Sequence, residues 1–213
     1  YFHLERSFAI KTYDSNLKLG SENKEFLTTN NSQIIESGIF SLGDYTYLLT
    51  RERHSNNSNP LYAQRIEKDG KLNPKKKALT STRVNTKKSN YYEHISGASV
   101  LLHSISPDKS KIAIAVKCEL QKYKSKLLVK VYNTDLSLVY SDSLSVDEVQ
   151  GYKDLIVDND GTCYLTTQAY KANKTFTSFY ALTDNHYITV FSKQGPQQTM
   201  LDLKDCYISD SHT

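Results

Sequence analysis

One stretch limits the folds open to this chain more than any other: Ser104-Ile105-Ser106-Pro107-Asp108-Lys109-Ser110-Lys111-Ile112-Ala113-Ile114-Ala115-Val116. An apolar run enters it and Pro107-Asp108 turns the chain, proline presetting φ for a tight turn. The exit run, Lys111 to Val116, is nearly all apolar, the pattern of a strand buried on both faces. This is the first hairpin of a repeated four-stranded unit. No segment holds a sustained apolar stripe at 3.6-residue spacing, so almost no helix is expected.

Related hairpins recur along the chain. Strands are expected at Glu5 to Tyr13, Lys18 to Thr28, Ile34 to Phe40, Tyr45 to Thr50 and Leu61 to Glu67, then at Ala98 to Ile105, Lys126 to Tyr132 and Leu138 to Leu144. A further set follows at Tyr152 to Val157, Thr162 to Thr167, His186 to Phe191 and Thr199 to Leu203. Asp69-Gly70 and Asp158-Asn159-Asp160-Gly161 are strong hairpin signals. Asp14-Ser15-Asn16-Leu17 and Asp135-Leu136-Ser137-Leu138 are close cousins. The long polar stretches Arg51 to Pro60, Glu119 to Ser125 and Ala169 to Asn185 read as loops, the last with local strand at Phe176 to Leu182, and Leu72 to Tyr92 as a strand near Ala78-Leu79 plus a long connection. The spacing between equivalent strand ends is roughly 55 to 65 residues, which with four strands and no helix points to radially repeated sheets. Blade boundaries follow: 1–29 closes one unit, 30–92, 93–147 and 148–204 are whole units, and 205–213, with Cys206-Tyr207-Ile208, opens another. The expected fold is therefore all-β, built of four-stranded antiparallel blades, with a β-sandwich as the alternative.

Two motifs carry a resemblance. Ile105-Ser106-Pro107-Asp108-Lys109-Ser110-Lys111-Ile112-Ala113-Ile114-Ala115 resembles the core of the WD40-like repeat of the TolB type, with Lys109 in place of the usual Gly and Ser110 inserted. Val157-Asp158-Asn159-Asp160-Gly161-Thr162-Cys163-Tyr164 is similar to the Asp-x-x-Gly-x-x-Tyr hairpin of several propeller families. The match covers about a tenth of the chain, and it implies a β-propeller. Six to eight blades at this period need well over about 300 residues, so the resemblance implies an incomplete propeller of about three and a half blades, cut at both ends from a longer polypeptide. It also inclines localisation toward the periplasm, the cell surface or secretion.

Composition argues against several classes. The 213 residues include sixteen Tyr and seven Phe but no Trp, and the formal charge is +4. No apolar run reaches the ~18 residues of a membrane span. Cys118, Cys163 and Cys206 are too few and too scattered for a disulfide framework or a zinc site. His54, His94 and His103 lack ligand spacing, and His103 is expected to pack within its strand. Asp158 and Asp160, with Asn159 between them, are weak candidates for a hard cation, although turn geometry alone explains them. No nucleophile elbow, no Asp box and no arginine cluster is present, so no catalytic residue and no cofactor is assigned, and the reading leans away from an enzyme.

Between Gly70 and Tyr92 there are seven cations and no acid. Lys75, Lys76, Lys77, Arg83, Lys87 and Lys88, followed by Tyr91 and Tyr92, are candidate contacts for an acidic protein or polysaccharide, against the simpler reading of a solvated connection. The rest of the chain is slightly acidic, so nucleic acid is not expected. Tyr91, Tyr92, Tyr123 and Tyr170 are candidates for an aromatic platform toward a glycan. The expected function is a non-catalytic propeller scaffold that meets a protein partner, or the remaining blades, through its loops. The alternatives are the propeller portion of a glycan-active enzyme or peptidase and a carbohydrate-binding module.

Overall fold

The computed structural model describes residues 7–26, 28–29, 32–54, 58–83, 101–121, 124–147, 149–172 and 180–202. Every regular element among them is a strand. By internal contacts the chain divides into two compact units, 1–87 and 88–213.

The first unit holds β1 (Ser7–Tyr13), β2 (Leu19–Phe26), β3 (Thr28–Thr29), β4 (Ser32–Leu42), β5 (Tyr45–His54), β6 (Ser58–Ile66) and β7 (Leu72–Arg83). β1 and β2 form a two-stranded sheet, and β3 to β7 an antiparallel meander with β7 at its edge. Alternation along the meander puts Phe40, Tyr47, Leu49, Leu61 and Ala63 on one face, all buried. The Phe40 and Tyr47 rings stack at 5.5 Å. Such offset aromatic pairs add to the burial of their own area.

The second unit holds β8 (Leu101–Ile105), β9 (Lys111–Gln121), β10 (Lys124–Asn133), β11 (Leu138–Val146), β12 (Val149–Val157), β13 (Cys163–Ala172), β14 (Tyr180–Phe191) and β15 (Gln197–Leu201). They make two four-stranded meanders, β8 to β11 and β12 to β15, each paired in chain order. Their facing sides share a core of Ala113, Ala115, Leu127, Val129 and Val131 against Leu155, Val157, Cys163, Leu165 and Phe191. Each large apolar side chain there contributes about 1.5–3 kcal/mol by leaving water. The run Ile112 to Val116 is buried at every position, at most 1% exposed, as its unbroken apolar sequence leads one to expect.

One turn closes four of the described hairpins. Asp14 N–H donates to the Lys18 carbonyl at 3.0 Å, and Leu17 N–H to the Asp14 carbonyl at 3.0 Å. The same pair of bonds recurs at Glu67/Gly70/Lys71, Asn133/Leu136/Ser137 and Asp158/Gly161/Thr162. At Ser106 the loop is one residue longer, its N–H reaching the Lys111 carbonyl, in keeping with the inserted Ser110. The four turns with both bonds are three-residue hairpins, a type I turn followed by one left-handed residue. That residue is Leu17 (φ 60°), Gly70 (φ 80°), Leu136 (φ 63°) and Gly161 (φ 93°), and the same conformation is taken by Lys109 (φ 57°) in the longer turn and by Gly195 (φ 101°), whose N–H donates to the Ser192 carbonyl. Leu17, Gly70, Leu136 and Gly195 each precede the last strand of a sheet, at intervals of 53, 66 and 59 residues. At two of these turns the register slips by one in the same way, so Tyr13 faces Leu19 and Tyr132 faces Leu138, whereas the strands joined at Gly161 pair without a slip beside the turn.

Several expected loops are strands. β5 and β6 run through most of Arg51 to Pro60, leaving 55–57 outside the described residues. β9 and β10 run through Glu119 to Ser125 except 122–123, and β13 and β14 enter Ala169 to Asn185 from both ends. The region taken for a short strand and a long connection begins instead with the twelve-residue β7. The reason is common to all four: a ladder satisfies backbone N–H and C=O whatever the side chains are, so polar residues are tolerated on a solvent-facing side. The expected strand start at Ala98 and the unit opening at Cys206 lie outside the described residues.

Candidate interaction surfaces

The basic tract is in part an edge strand. Lys75, Lys76 and Lys77 stand on β7, where lysine commonly protects unpaired backbone from another chain's strand. Lys76 pairs with Gln64 and Lys77 with Ala63, so successive side chains point to opposite faces and the run does not form one patch. Lys76 Nζ is ion-paired with Glu52, which is 4% exposed, and lies 4.3 Å from the centroid of the Tyr62 ring. Burial, and then the Glu52 charge, push the Tyr62 hydroxyl above its ordinary pKa. Lys76 is thus engaged within the sheet, while Lys75 and Lys77 are exposed. Arg83 ends β7, and its side chain, like Lys87, Lys88, Tyr91, Tyr92 and Tyr123, lies outside the described residues, as does the side chain of Tyr170.

Beside this strand the β6–β7 hairpin frames an open depression of about 570 Å³, lined by residues that include Arg65, Glu67, Asp69 and Lys71. Four of its charges are paired, Arg65 with Glu67 at 3.3 Å and Lys71 with Asp69 at 2.8 Å. Such exposed pairs contribute little. The Lys71 hydrogen bonds and charge hold the Asp69 carboxyl below its usual range.

The acidic turn Asp158 to Gly161 spends its oxygens on its own backbone. Thr162 N–H donates to Asp158 Oδ1 at 2.9 Å and to Asp160 Oδ1 at 2.7 Å. Asp108 N–H donates to Asn159 Oδ1 at 3.1 Å, which joins the first hairpins of the two meanders. The two carboxyls are neighbours: the interaction with Asp158, with the Thr162 bonds, lowers Asp160 to about 2, while burial and then the Asp160 neighbour raise Asp158. Among the described residues no group of three or more His, Cys, Asp or Glu side chains converges. His103, expected to be packed, is exposed, because β8 is an edge strand.

Sheet-to-sheet contacts follow one plan in both units. In the first, Ser21 Oγ and Asn23 Nδ2 on β2 donate to the Asp69 carbonyl at 2.6 and 2.8 Å, and a Cβ on Gly70 would lie 3.0 Å from Asn23 Nδ2. In the second, Tyr140 on β11, at the position of Ser21, shares its hydroxyl hydrogen between the carbonyls of Gly161 (2.8 Å) and Phe191 (3.0 Å). Asp142, at the position of Asn23, comes within 4.0 Å of a Cβ on Gly195. In each case the last strand of one sheet meets the turn end of the next: the last hairpin in the first unit, and both the first hairpin and the end of β14 in the second.

Comparison of the chain with models of known protein families, with curated proteins and with solved structures finds no match. Among the described residues no helix is long and apolar enough to cross a membrane.

The repeated contact defines two kinds of sheet surface. The forward face of β8–β11 carries Ala113, Val129 and Val131; the rear face of β12–β15 carries Cys163, Leu165 and Phe191. Among the described residues two such faces carry exposed apolar side chains. The forward face of β12–β15 exposes Ile156 (56%) and Tyr164 (39%), which pair across β12 and β13. The rear face of β1–β2 exposes Tyr13 (55%) and Leu19 (49%). Sequence reasoning missed both, because an apolar residue on a strand does not announce whether a second sheet covers it.

Proposed function

We propose that the chain is a segment of a β-propeller that acts as a non-catalytic scaffold, meeting another β-rich protein surface through its open sheet faces. The observation that carries this reading is the recurrence of one meander, one turn and one sheet-to-sheet contact. Blades favour this over a sandwich on one point: β12 lies against β8 and β9, so the stacked meanders come together at their first strands. The resemblance of the Pro107-Asp108 hairpin to TolB-type repeats supports a place in the periplasm, at the cell surface or among secreted proteins. The exposed Lys75 and Lys77 would add a charged rim that steers association without supplying most of its energy.

Two experiments test this. An experimental structure of the full chain should show the meanders stacked as successive blades about an axis; two sheets closed over a single core would replace the propeller by a sandwich. Assays against chromogenic glycosides and peptides should show no turnover, and turnover lost on replacing a single carboxylate would overturn the scaffold.

A further inference from the structure

Among the described strands, the last strand of each sheet is paired on one side only, and these edges are guarded unequally. β7 carries Pro74, Lys75, Lys76 and Lys77 and two breaks of register. β2 carries Glu22, Lys24 and Glu25, and β15 is only five residues long. Prolines, charges, bulges and short length are the devices that keep a foreign strand off an edge. From Tyr140 to Val146, β11 has no proline, no lysine and no break of register, and its one charge is Asp142. Ser143 N–H donates to that residue's Oδ1 at 2.7 Å, so it points away from β10. Backbone groups alternate along an antiparallel strand, which turns the N–H and C=O of Ser141 and Ser145 outward as well. Both of these serines are exposed.

We infer that the outer side of β11 is a strand-addition site for an extended, cationic segment of another polypeptide. In this mode main-chain hydrogen bonds supply affinity and alternate side chains supply specificity. A strand laid antiparallel to β11 takes the Ser143 N–H, and the Asp142 carboxylate loses that donor. A Lys or Arg directly opposite replaces it with a charge-assisted bond. The position suits the exchange: on the outer side Asp142 falls at a pair that is not hydrogen-bonded, where opposed side chains approach most closely. An acidic residue there would be repelled. Apolar residues on either side of the cation meet Tyr140 and Leu144, which share the side of Asp142, and small polar residues between them meet the serines. The inference needs only the strand order of β8–β11, so it stands or falls separately from the reading of the meanders as blades.

Fluorescence anisotropy tests it, with the full chain titrated into a labelled peptide, acetyl-Thr-Val-Thr-Arg-Thr-Val-Thr-amide. Saturable binding is expected. The same peptide N-methylated at the two threonines beside Arg keeps its charge but cannot pair, and should bind about tenfold more weakly or worse. Glu in place of its Arg should cost about fivefold or more. In the protein, Ser143→Pro removes an outward N–H without breaking the ladder to β10, a place where an edge strand accepts proline, and should abolish binding. Asp142→Asn should erase the preference for Arg over Glu while binding persists. Circular dichroism shows that each variant is folded. Amide exchange gives a second readout: Ser141 and Ser145 should exchange fast in the free chain and slow down with peptide. The absence of saturable binding overturns the inference, as does an N-methylated peptide or a Ser143→Pro variant that binds like its parent. Ser141 and Ser145 amides already protected in the free chain also overturn it: protection lost on dilution assigns the edge to a second copy, and protection that survives dilution assigns it to the chain itself.

Discussion

Leu17 and Leu136 adopt the left-handed backbone conformation that an L-residue with a bulky side chain avoids, at a cost of roughly 1–2 kcal/mol. Their surroundings differ. Leu136 is 3% exposed, and burying a leucine contributes about 1.5–3 kcal/mol, which offsets the strain. Leu17 is 83% exposed and has no such return. Leu17→Gly is therefore expected to stabilise the first unit by up to about 1 kcal/mol, part of the relief being lost to glycine's greater unfolded entropy. Leu136→Gly should destabilise the second unit by about 1–2 kcal/mol. Urea midpoints of the two variants check this, and shifts of the same sign would refute the argument. The relation between these turns was only partly visible in the sequence: Asp14 to Leu17 and Asp135 to Leu138 read as cousins, which is two residues off the structural match of Leu17 with Leu136. The conformation was not, because leucine is among the last residues one assigns to it.

At the scale of elements, the join between β11 and the following meander rests on Tyr140 and on the buried Cys163. Tyr140→Phe leaves the Gly161 and Phe191 carbonyls without its hydroxyl and should cost about 1–2 kcal/mol. The same join predicts alkaline sensitivity. Burial raises the Cys163 thiol from 9.0 to about 11 and raises Tyr140 well above its ordinary 10.0. A group whose folded pKa is raised stabilises fully below its unfolded pKa, and that contribution is lost as pH climbs through the folded value. The urea midpoint of the second unit should fall from about pH 9 upward, and Cys163→Ala should remove the part of that slope that precedes tyrosine ionisation. A flat profile between pH 9 and 11 would contradict it. Element type was legible where strands are apolar, as in Ile112 to Val116. Element ends were not: β5, β9 and β13 continue into polar sequence, since pairing does not depend on which side chains face water.

At the scale of the whole molecule, one antiparallel meander paired in chain order recurs in both units. The repeat itself was readable from strand-end spacing, and the left-handed residues at 17, 70, 136 and 195 now give it a structural register. The candidate surface was barely readable. The lysines of β7 drew attention because charge is conspicuous in a sequence, yet Lys76 is engaged by Glu52 and Tyr62, and the open faces are marked by tyrosines that look like any other strand residue.

The recurring turn has a consequence for descent. Its two defining bonds run from backbone to backbone, and one left-handed residue, supplied here by glycine, leucine or lysine, completes it. A duplicated unit can therefore exchange nearly all its side chains and still bend at the same place. Lineages built on such a template drift apart in letters long before they drift apart in shape.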